Sequence, residues 1–275
     1  MDFYSIFWIF FLLSTLQPLI HQRVLIVQRA RAIRALERER KSRVITLIHR
    51  REGFSFLGFP FGRYIDMEDS EEVLRAIELT DPSVPIDMVL HTPGGMVLAA
   101  EQIAKALIRH KAKVSVLVPH YALSGGTLIA LAANEIILAP SAVLGPVDPQ
   151  IGRFPAASII AAVEGKDVNE VDDETLILAD VSRKAQTQVG ELVAEVLIAN
   201  GSEPPTAKRI ADELSLGQWT HDYPISVERA RVIGLTVSSE LPPAVREMMS
   251  LYPQPRGHRP SVEYIPVPYG RRRKP

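Results

Sequence analysis

The chain has 275 residues, enough for one large domain or two small ones, and 47% of them are hydrophobic, which permits a substantial core. It holds no cysteine, so disulfides and thiol catalysis are excluded. The formal net charge of −1 hides a segregation: residues 21–43 carry eight Arg or Lys against Glu37 and Glu39, a net +6 that leaves −7 for the rest.

Phe3 to Ile20 (FYSIFWIFFLLSTLQPLI) is an 18-residue run without a charge, near the lower limit for a helix that crosses a bilayer. A cleaved signal peptide has basic residues before such a run and small ones at its end. Here only Met1 and Asp2 precede it, and Gln17, Pro18 and Ile20 close it. The expectation is an uncleaved transmembrane anchor over residues 1–20. The basic stretch from Arg23 to Arg43 is punctuated by alanine, and residues 21–42 are predicted as a juxtamembrane helix. The positive-inside bias then puts the main domain in the cytoplasm. The stretch lacks interleaved aromatics, so anionic lipid headgroups are its expected partner and nucleic acid is not.

Residues 43–250 form the expected main domain. Arg43 to His49 is a β-branched run and the first predicted strand, followed by a Gly- and Phe-rich loop from Glu52 to Tyr64. A helix is predicted over Asp69–Leu79, with Ser70 as its cap. Then strands at Ile86–His91, Val114–Pro119 and Glu135–Leu138 alternate with helices at Val97–His110 and Thr127–Ala133. This alternation indicates βαβ units, and strands apolar throughout indicate a parallel sheet covered on both faces. A long helix is predicted from the acidic Asn169–Glu174 to Asn200-Gly201, with a core stripe of Leu178, Val181, Ala185, Val189, Leu192 and Val196. Two further helices follow, at Ala207–Leu214 and Ser226–Ile233, the last closed by Gly234. Residues 251–275, rich in Pro and Arg, are predicted to be a disordered tail.

Two motifs lie where strands give way to helices: His91-Thr92-Pro93-Gly94-Gly95 and Ser124-Gly125-Gly126-Thr127. Ligand chemistry in open parallel sheets sits beyond the carboxyl ends of the strands. Glycine lets backbone N–H groups approach a ligand, and a helix start leaves N–H groups unpaired. A carbonyl bound between the motifs would meet donors from Gly94, Gly95 and Gly125, opposite Ser124 as nucleophile. Either motif alone is an ordinary turn or a helix cap; together, in this order, they point to a serine hydrolase. The serine needs a base. His91, His120 and His221 are open candidates, as is Lys184 at the edge of the long helix's stripe, where burial would favour a neutral amine. Lys166 is a rival in acidic surroundings.

Residues Ile86 to Pro146 resemble the Clp protease/crotonase superfamily. Together with the long helix, the Ala-Arg-Val-Ile-Gly-Leu segment and the N-terminal run, the chain is most similar to the serine dehydrogenase proteinase family, of the signal-peptide-peptidase-A-like group. The resemblance implies an α/β, β-α spiral superfold with an N-terminal transmembrane helix, a homo-oligomer, Ser124 as nucleophile, and an oxyanion hole from Gly95, Gly94 and Gly125. It also implies a lysine base on the long helix, a position matched by Lys184, seventeen residues before Gly201. Where a Clp-type histidine would fall, the chain reads Gly145-Pro146-Val147-Asp148-Pro149, which has none. That departure implies a Ser124–Lys184 dyad in place of a Ser–His–Asp triad, and the expected activity is a membrane-anchored serine endopeptidase acting through it on peptides or membrane-proximal proteins. It is expected to need no cofactor or metal, and no ATP, since no phosphate-binding loop is visible. The alternatives are a crotonase-like acyl-CoA enzyme using the same oxyanion hole, and a catalytically silent membrane scaffold.

Overall fold

The apolar runs that begin near residues 43, 86, 114 and 135 become neighbours in one parallel sheet. A computed structural model describes residues 3–50, 55–56, 59–60 and 64–252, and for most of residues 3–21 the backbone alone. The chain opens with α1 (Phe3–Arg40), β1 (Arg43–Ile48), a short antiparallel pair β2 (Ser55–Phe56) and β3 (Phe59–Pro60), and α2 (Met67–Glu78). Then come β4 (Ile86–His91), α3 (Val97–Arg109), β5 (Val114–Val118), β6 (Tyr121–Ala122), α4 (Gly125–Leu131), β7 (Glu135–Leu138) and β8 (Val143–Leu144). The remainder is β9 (Gln150–Ile151), β10 (Phe154–Pro155), α5 (Ala156–Glu164), α6 (Asp173–Ala199), α7 (Pro204–Ser215), α8 (Val227–Ile233), β11 (Val237–Ser238) and α9 (Pro243–Ser250).

The main sheet runs β1-β4-β5-β7-β11, with every pairing parallel. All six residues of β4 and all five of β5 are buried, as expected for strands covered on both faces. A second layer follows the first. After β4, β5 and β7 the chain bends into Thr92, β6 and β8, and these pair with one another in parallel through Thr92–Ala122 and Ala122–Leu144. Ile225 closes this layer against Leu144, with backbone hydrogen bonds of 2.9 and 3.0 Å. Each strand-and-bend unit therefore repeats the previous one beside it, in keeping with the expected spiral. Both glycine motifs lie on the bends.

α1 is one continuous helix, and its last turns join the body. Leu36 is fully buried, Arg29 donates to the Leu251 carbonyl (2.8 Å) and covers the Tyr252 ring. Arg40 makes a two-point ion pair with the buried Asp87 of β4 (2.6 and 2.9 Å), and the Ser42 hydroxyl donates to the same carboxylate. The expected basic helix over residues 21–42 thus ends two residues early, at Arg40. Among the described residues no helix is long and apolar enough to cross a membrane, and most side chains of the expected anchor lie outside them.

Several local expectations change. α2 begins at Met67, because Asp66 and Asp69 cap each other's backbone N–H groups; Ser70 is buried and donates to Gln102 instead. α5 and α9 have no counterpart in the sequence reading. The core stripe of α6 holds from Val189 to Val196, but in the first half Ala179 and Ser182 are buried while Val181 is exposed. The Gly- and Phe-rich loop lies largely, and the tail from Pro253 wholly, outside the described residues.

Candidate active site

Ser124 sits between β6 and α4 with φ 51° and ψ −118°. A non-glycine residue adopts this backbone region only when its surroundings over-determine it, at a cost of about 1–3 kcal/mol. Here the surroundings are identifiable. Leu123 N donates to the Thr92 carbonyl (3.0 Å), Gly126 N to the Leu123 carbonyl (2.8 Å), and Leu128 N to the Ser124 carbonyl (3.1 Å). The Thr127 hydroxyl lies 2.8 Å from the Ala122 carbonyl and accepts from Gly145 N (3.1 Å), binding the turn to the next bend. The sharp turn holds the serine at the N-terminus of α4, where the helix dipole favours a developing anion.

The first motif packs directly against it. Gly94 has φ 102°, and a Cβ there would stand 2.7 Å from Ser124 Cβ. A Cβ on Gly95 would stand 2.3 Å from both the amide nitrogen and the carbonyl oxygen of Ile65. The Gly95 site is that tight because Ile65 N donates to the Gly94 carbonyl and Met96 N to the Ile65 carbonyl, each at 2.8 Å. The two remaining amides converge. Gly125 N lies 3.2 Å from where a Gly94 Cβ would be, and Gly95 N lies 3.6 Å from where a Gly125 Cβ would be. Among the described residues neither Gly95 N–H nor Gly125 N–H has an acceptor, whereas Gly94 N–H donates to Thr92 Oγ1 (3.2 Å). The geometry therefore leaves two donors for an oxyanion, Gly95 and Gly125, and gives Gly94 a packing role instead of the expected donor role.

Ser124, Gly95 and Gly125 line a cavity of about 230 Å³ whose wall also includes Val189 of α6, Asp148 and His221. His221 Nδ1 lies 2.8 Å from Asp148 Oδ1. Asp148 is 3% exposed, and its other oxygen accepts from Gln150 Nε2 (2.6 Å). The expected lysine is placed elsewhere. The Lys184 side chain is 68% exposed and pairs with Asp180 one turn earlier (2.5 Å). At 100° per residue it stands about 140° round α6 from Val189, the residue that faces the cavity. Ile177 and Val181, seven and three residues earlier on the same side of α6, are exposed too, so no apolar edge exists there to bury the amine. Lys166 and His120 are exposed, and neither lines the cavity.

His91 is buried at 1% exposure, and among the described residues neither ring nitrogen has a hydrogen-bond partner. Its ring lies 4.2 Å from that of Tyr121 and 5.8 Å from that of His120. Burial, reinforced by Arg50, His120 and His49, lowers its pKa to about 4, so it is a neutral packing group near neutral pH. The pairing of Asp148 with His221 is the element that sequence reasoning missed. The signal was a carboxylate on the Gly145–Pro149 bend, read there only as the absence of a histidine.

A family model described as ClpP-like SDH-type serine proteinase matches residues 2–275. The chain belongs to that family. This proteinase is 52% identical over 266 residues to the Methanocaldococcus jannaschii protein MJ1495, covering 97% of the chain and 90% of the relative. A second protein of that organism, MJ0137, is 49% identical over 263 residues, covering 96% and 92%. Among solved structures, a variant of ClpP1 from Listeria monocytogenes aligns with a TM-score of 0.47 and 18% identity, covering 76% of this chain and 99% of the other. A variant of the 1510-N membrane-bound stomatin-specific protease aligns with a TM-score of 0.45 and 18% identity, covering 68% and 79%. The ClpP-like SDH-type proteinase is thus a serine peptidase with an α/β fold.

Proposed function

We propose that this chain is a membrane-anchored, ATP-independent serine endopeptidase, with Ser124 as nucleophile and the amides of Gly95 and Gly125 as oxyanion hole. The observation that carries the reading is the strained Ser124 turn held against Gly94, with two amides beside it that have no acceptor among the described residues. A turn that only shaped the fold would have no need of a serine in that backbone region. Attack by Oγ on a peptide carbonyl moves negative charge onto the carbonyl oxygen, where preorganised N–H donors stabilise it, each worth about 3 kcal/mol. Anchoring is supported by the uncharged run from Phe3 to Ile20 and by the backbone of α1, which is helical through that run and into the body. The exposed Arg23, Arg31, Arg34 and Arg38 on the same helix suit anionic headgroups on the cytoplasmic side. Substrates are then peptides or membrane-proximal proteins. The exposed apolar residues Ile177, Val181 and Ile198 of α6 are surface that a second copy would cover, in line with a homo-oligomer.

The test is casein and peptide hydrolysis by the detergent-solubilised full chain beside Ser124→Ala. Cleavage that disappears in the variant is expected. Cleavage that persists would assign the activity to another nucleophile.

A further inference from the structure

We propose that His49, acting through the hydroxyl of Thr92, is a positioning residue for the oxyanion hole: it holds the Gly94–Gly95 peptide so that the Gly95 N–H faces Ser124. This rests on the reading of Ser124 as nucleophile and Gly95 as hole donor, and it names what keeps that donor in place.

His49 stands apart from the Ser124 cavity. It directly follows β1 and is 5% exposed. It lines a separate groove with Asp66, Asp69 and Glu72, whose wall shares Tyr64 and Gly95 with that cavity. Its ring nitrogens serve two different elements. Nε2 lies 3.1 Å from Asp69 Oδ2 on α2, and Nδ1 lies 2.8 Å from the Thr92 hydroxyl oxygen. Thr92 Oγ1 in turn accepts from Gly94 N–H (3.2 Å).

The direction of each bond follows from what each group can do. A carboxylate only accepts, and Asp69 Oδ2 takes the Asp66 N–H (3.1 Å) as well, so the hydrogen of the neutral imidazole sits on Nε2. Nδ1 is then the acceptor, and it takes the single hydrogen of the Thr92 hydroxyl. The other place for that hydrogen is the Gly94 carbonyl, which is 3.5 Å from Oγ1 and already accepts from Ile65 N at 2.8 Å. With the hydroxyl hydrogen aimed at Nδ1, a lone pair of Oγ1 remains for Gly94 N–H.

Both polar groups of Gly94 are thereby fixed, the N–H by Thr92 and the carbonyl by Ile65, at a φ of 102°. In a trans peptide the N–H points opposite to the preceding carbonyl. The Gly95 N–H is therefore turned away from Ile65 and toward Gly125 and Ser124. Thr92 is a rigid support for this. It is fully buried, its N donates to the Tyr121 carbonyl (3.2 Å), and its own carbonyl accepts from Leu123 N (3.0 Å). Its methyl fills the space beside Gly126, where a Cβ would meet it at 2.5 Å. Valine would fill that space equally well; only a hydroxyl can hold the Gly94 amide and reach the imidazole. A histidine that served only to anchor α2 would need Nε2 and Asp69 alone.

The experiment measures steady-state peptide hydrolysis by the solubilised full chain, with circular dichroism melts for folding and hydrogen-exchange mass spectrometry across residues 92–96. Thr92→Val keeps the methyl and loses the hydroxyl. Its kcat should fall about 10–10²-fold with KM nearly unchanged, the pattern of a misplaced group that acts in the transition state, and the Gly94 amide should exchange faster. Thr92→Ser, which keeps the hydroxyl, should restore most of kcat. His49→Asn places an amide near the position of Nδ1 and should also keep most of kcat. His49→Gln reaches the Asp69 end instead and should be as slow as Thr92→Val. A role in anchoring α2 alone gives the opposite order for the two His49 variants. That opposite order, or a folded Thr92→Val protein with wild-type kcat, would overturn the proposal. A wild-type chain that cleaves no peptide and whose Ser124 resists a fluorophosphonate would instead overturn the peptidase reading. Gly94 exchange unchanged in both Thr92→Val and His49→Gln would then remove the positioning role as well.

Discussion

The most demanding consequence of this geometry concerns a single methyl group at Gly95. In Gly95→Ala the added Cβ meets Ile65 N and O at 2.3 Å, both of them backbone atoms that no rotamer change can move aside. Ordinary contact begins near 3.4 Å, so the Gly95 and Ile65 chains must separate by about 1 Å. The bonds that fix their spacing, Ile65 N to the Gly94 carbonyl and Met96 N to the Ile65 carbonyl, are both 2.8 Å long and would be stretched or lost. At about 1 kcal/mol each, that is about 2 kcal/mol of stability. The same displacement carries the Gly95 N–H away from the oxyanion. An absent hole donor costs about 10²–10³ in kcat. The variant should therefore melt modestly lower yet lose far more activity than stability. Steady-state peptide hydrolysis, read beside a thermal melt and fluorophosphonate labelling, separates these effects. A folded Gly95→Ala protein with kcat within a few-fold of wild type would refute the assignment of Gly95 as a hole donor.

Further expectations follow from other sites. Asp87→Ala takes the two-point partner from Arg40, leaving it only the charges of Glu135 and Glu39, and removes the acceptor for Ser42; a loss of about 1.5–3 kcal/mol in denaturant unfolding is expected, and a loss below about 0.5 kcal/mol would show the ion pair to be dispensable. His91 is held neutral, its folded pKa lowered from 6.5 to about 4 by burial, with Arg50, His120 and His49 adding to it, so the unfolded chain takes up its proton first as pH falls. Its contribution is complete above about pH 6.5 and is lost as pH falls toward 4, by about 3 kcal/mol; His91→Phe should flatten that part of the stability–pH curve, and parallel curves would contradict the reading. Deleting residues 1–20 should release the protein from membranes, whereas association that resists carbonate extraction would remove that run as the anchor.

How much of this was legible in the sequence differs by element. β4, β5 and β7 could be read because strands buried on both faces leave a mainly apolar run, interrupted only at Asp87, His91, Ser115 and Glu135, and Glu135–Leu138 was located to the residue. The second layer could not, because β6 and β8 are two residues each and exist only through pairing with Thr92 and Ile225. α2 began two residues earlier than expected because an aspartate pair outcompeted a serine as cap. In α6, apolar residues at helical spacing suggested a core face that continued to Leu178; its first half instead presents Ile177 and Val181 to the surface, and the inferred position of Lys184 went with it. Ser124 and the glycines that pack beside it were visible as local motifs. The Asp148–His221 contact joins positions 73 residues apart, and no local pattern reports such a pairing.

α1 also sets a distance. At 1.5 Å per residue its 38 residues form a rod about 57 Å long, without a break between the apolar run and the body. On the proposed anchored reading, with residues 3–20 in the bilayer, Arg29, which binds the Leu251 carbonyl, would stand nine residues further on, about 14 Å from the membrane edge. A flexible linker would let the cavity sweep a wide volume; a helix fastened at Arg29, Leu36 and Arg40 does not. Under the proposed anchoring the rod would act as a ruler, selecting a scissile bond by its height above the lipid as much as by its side chains.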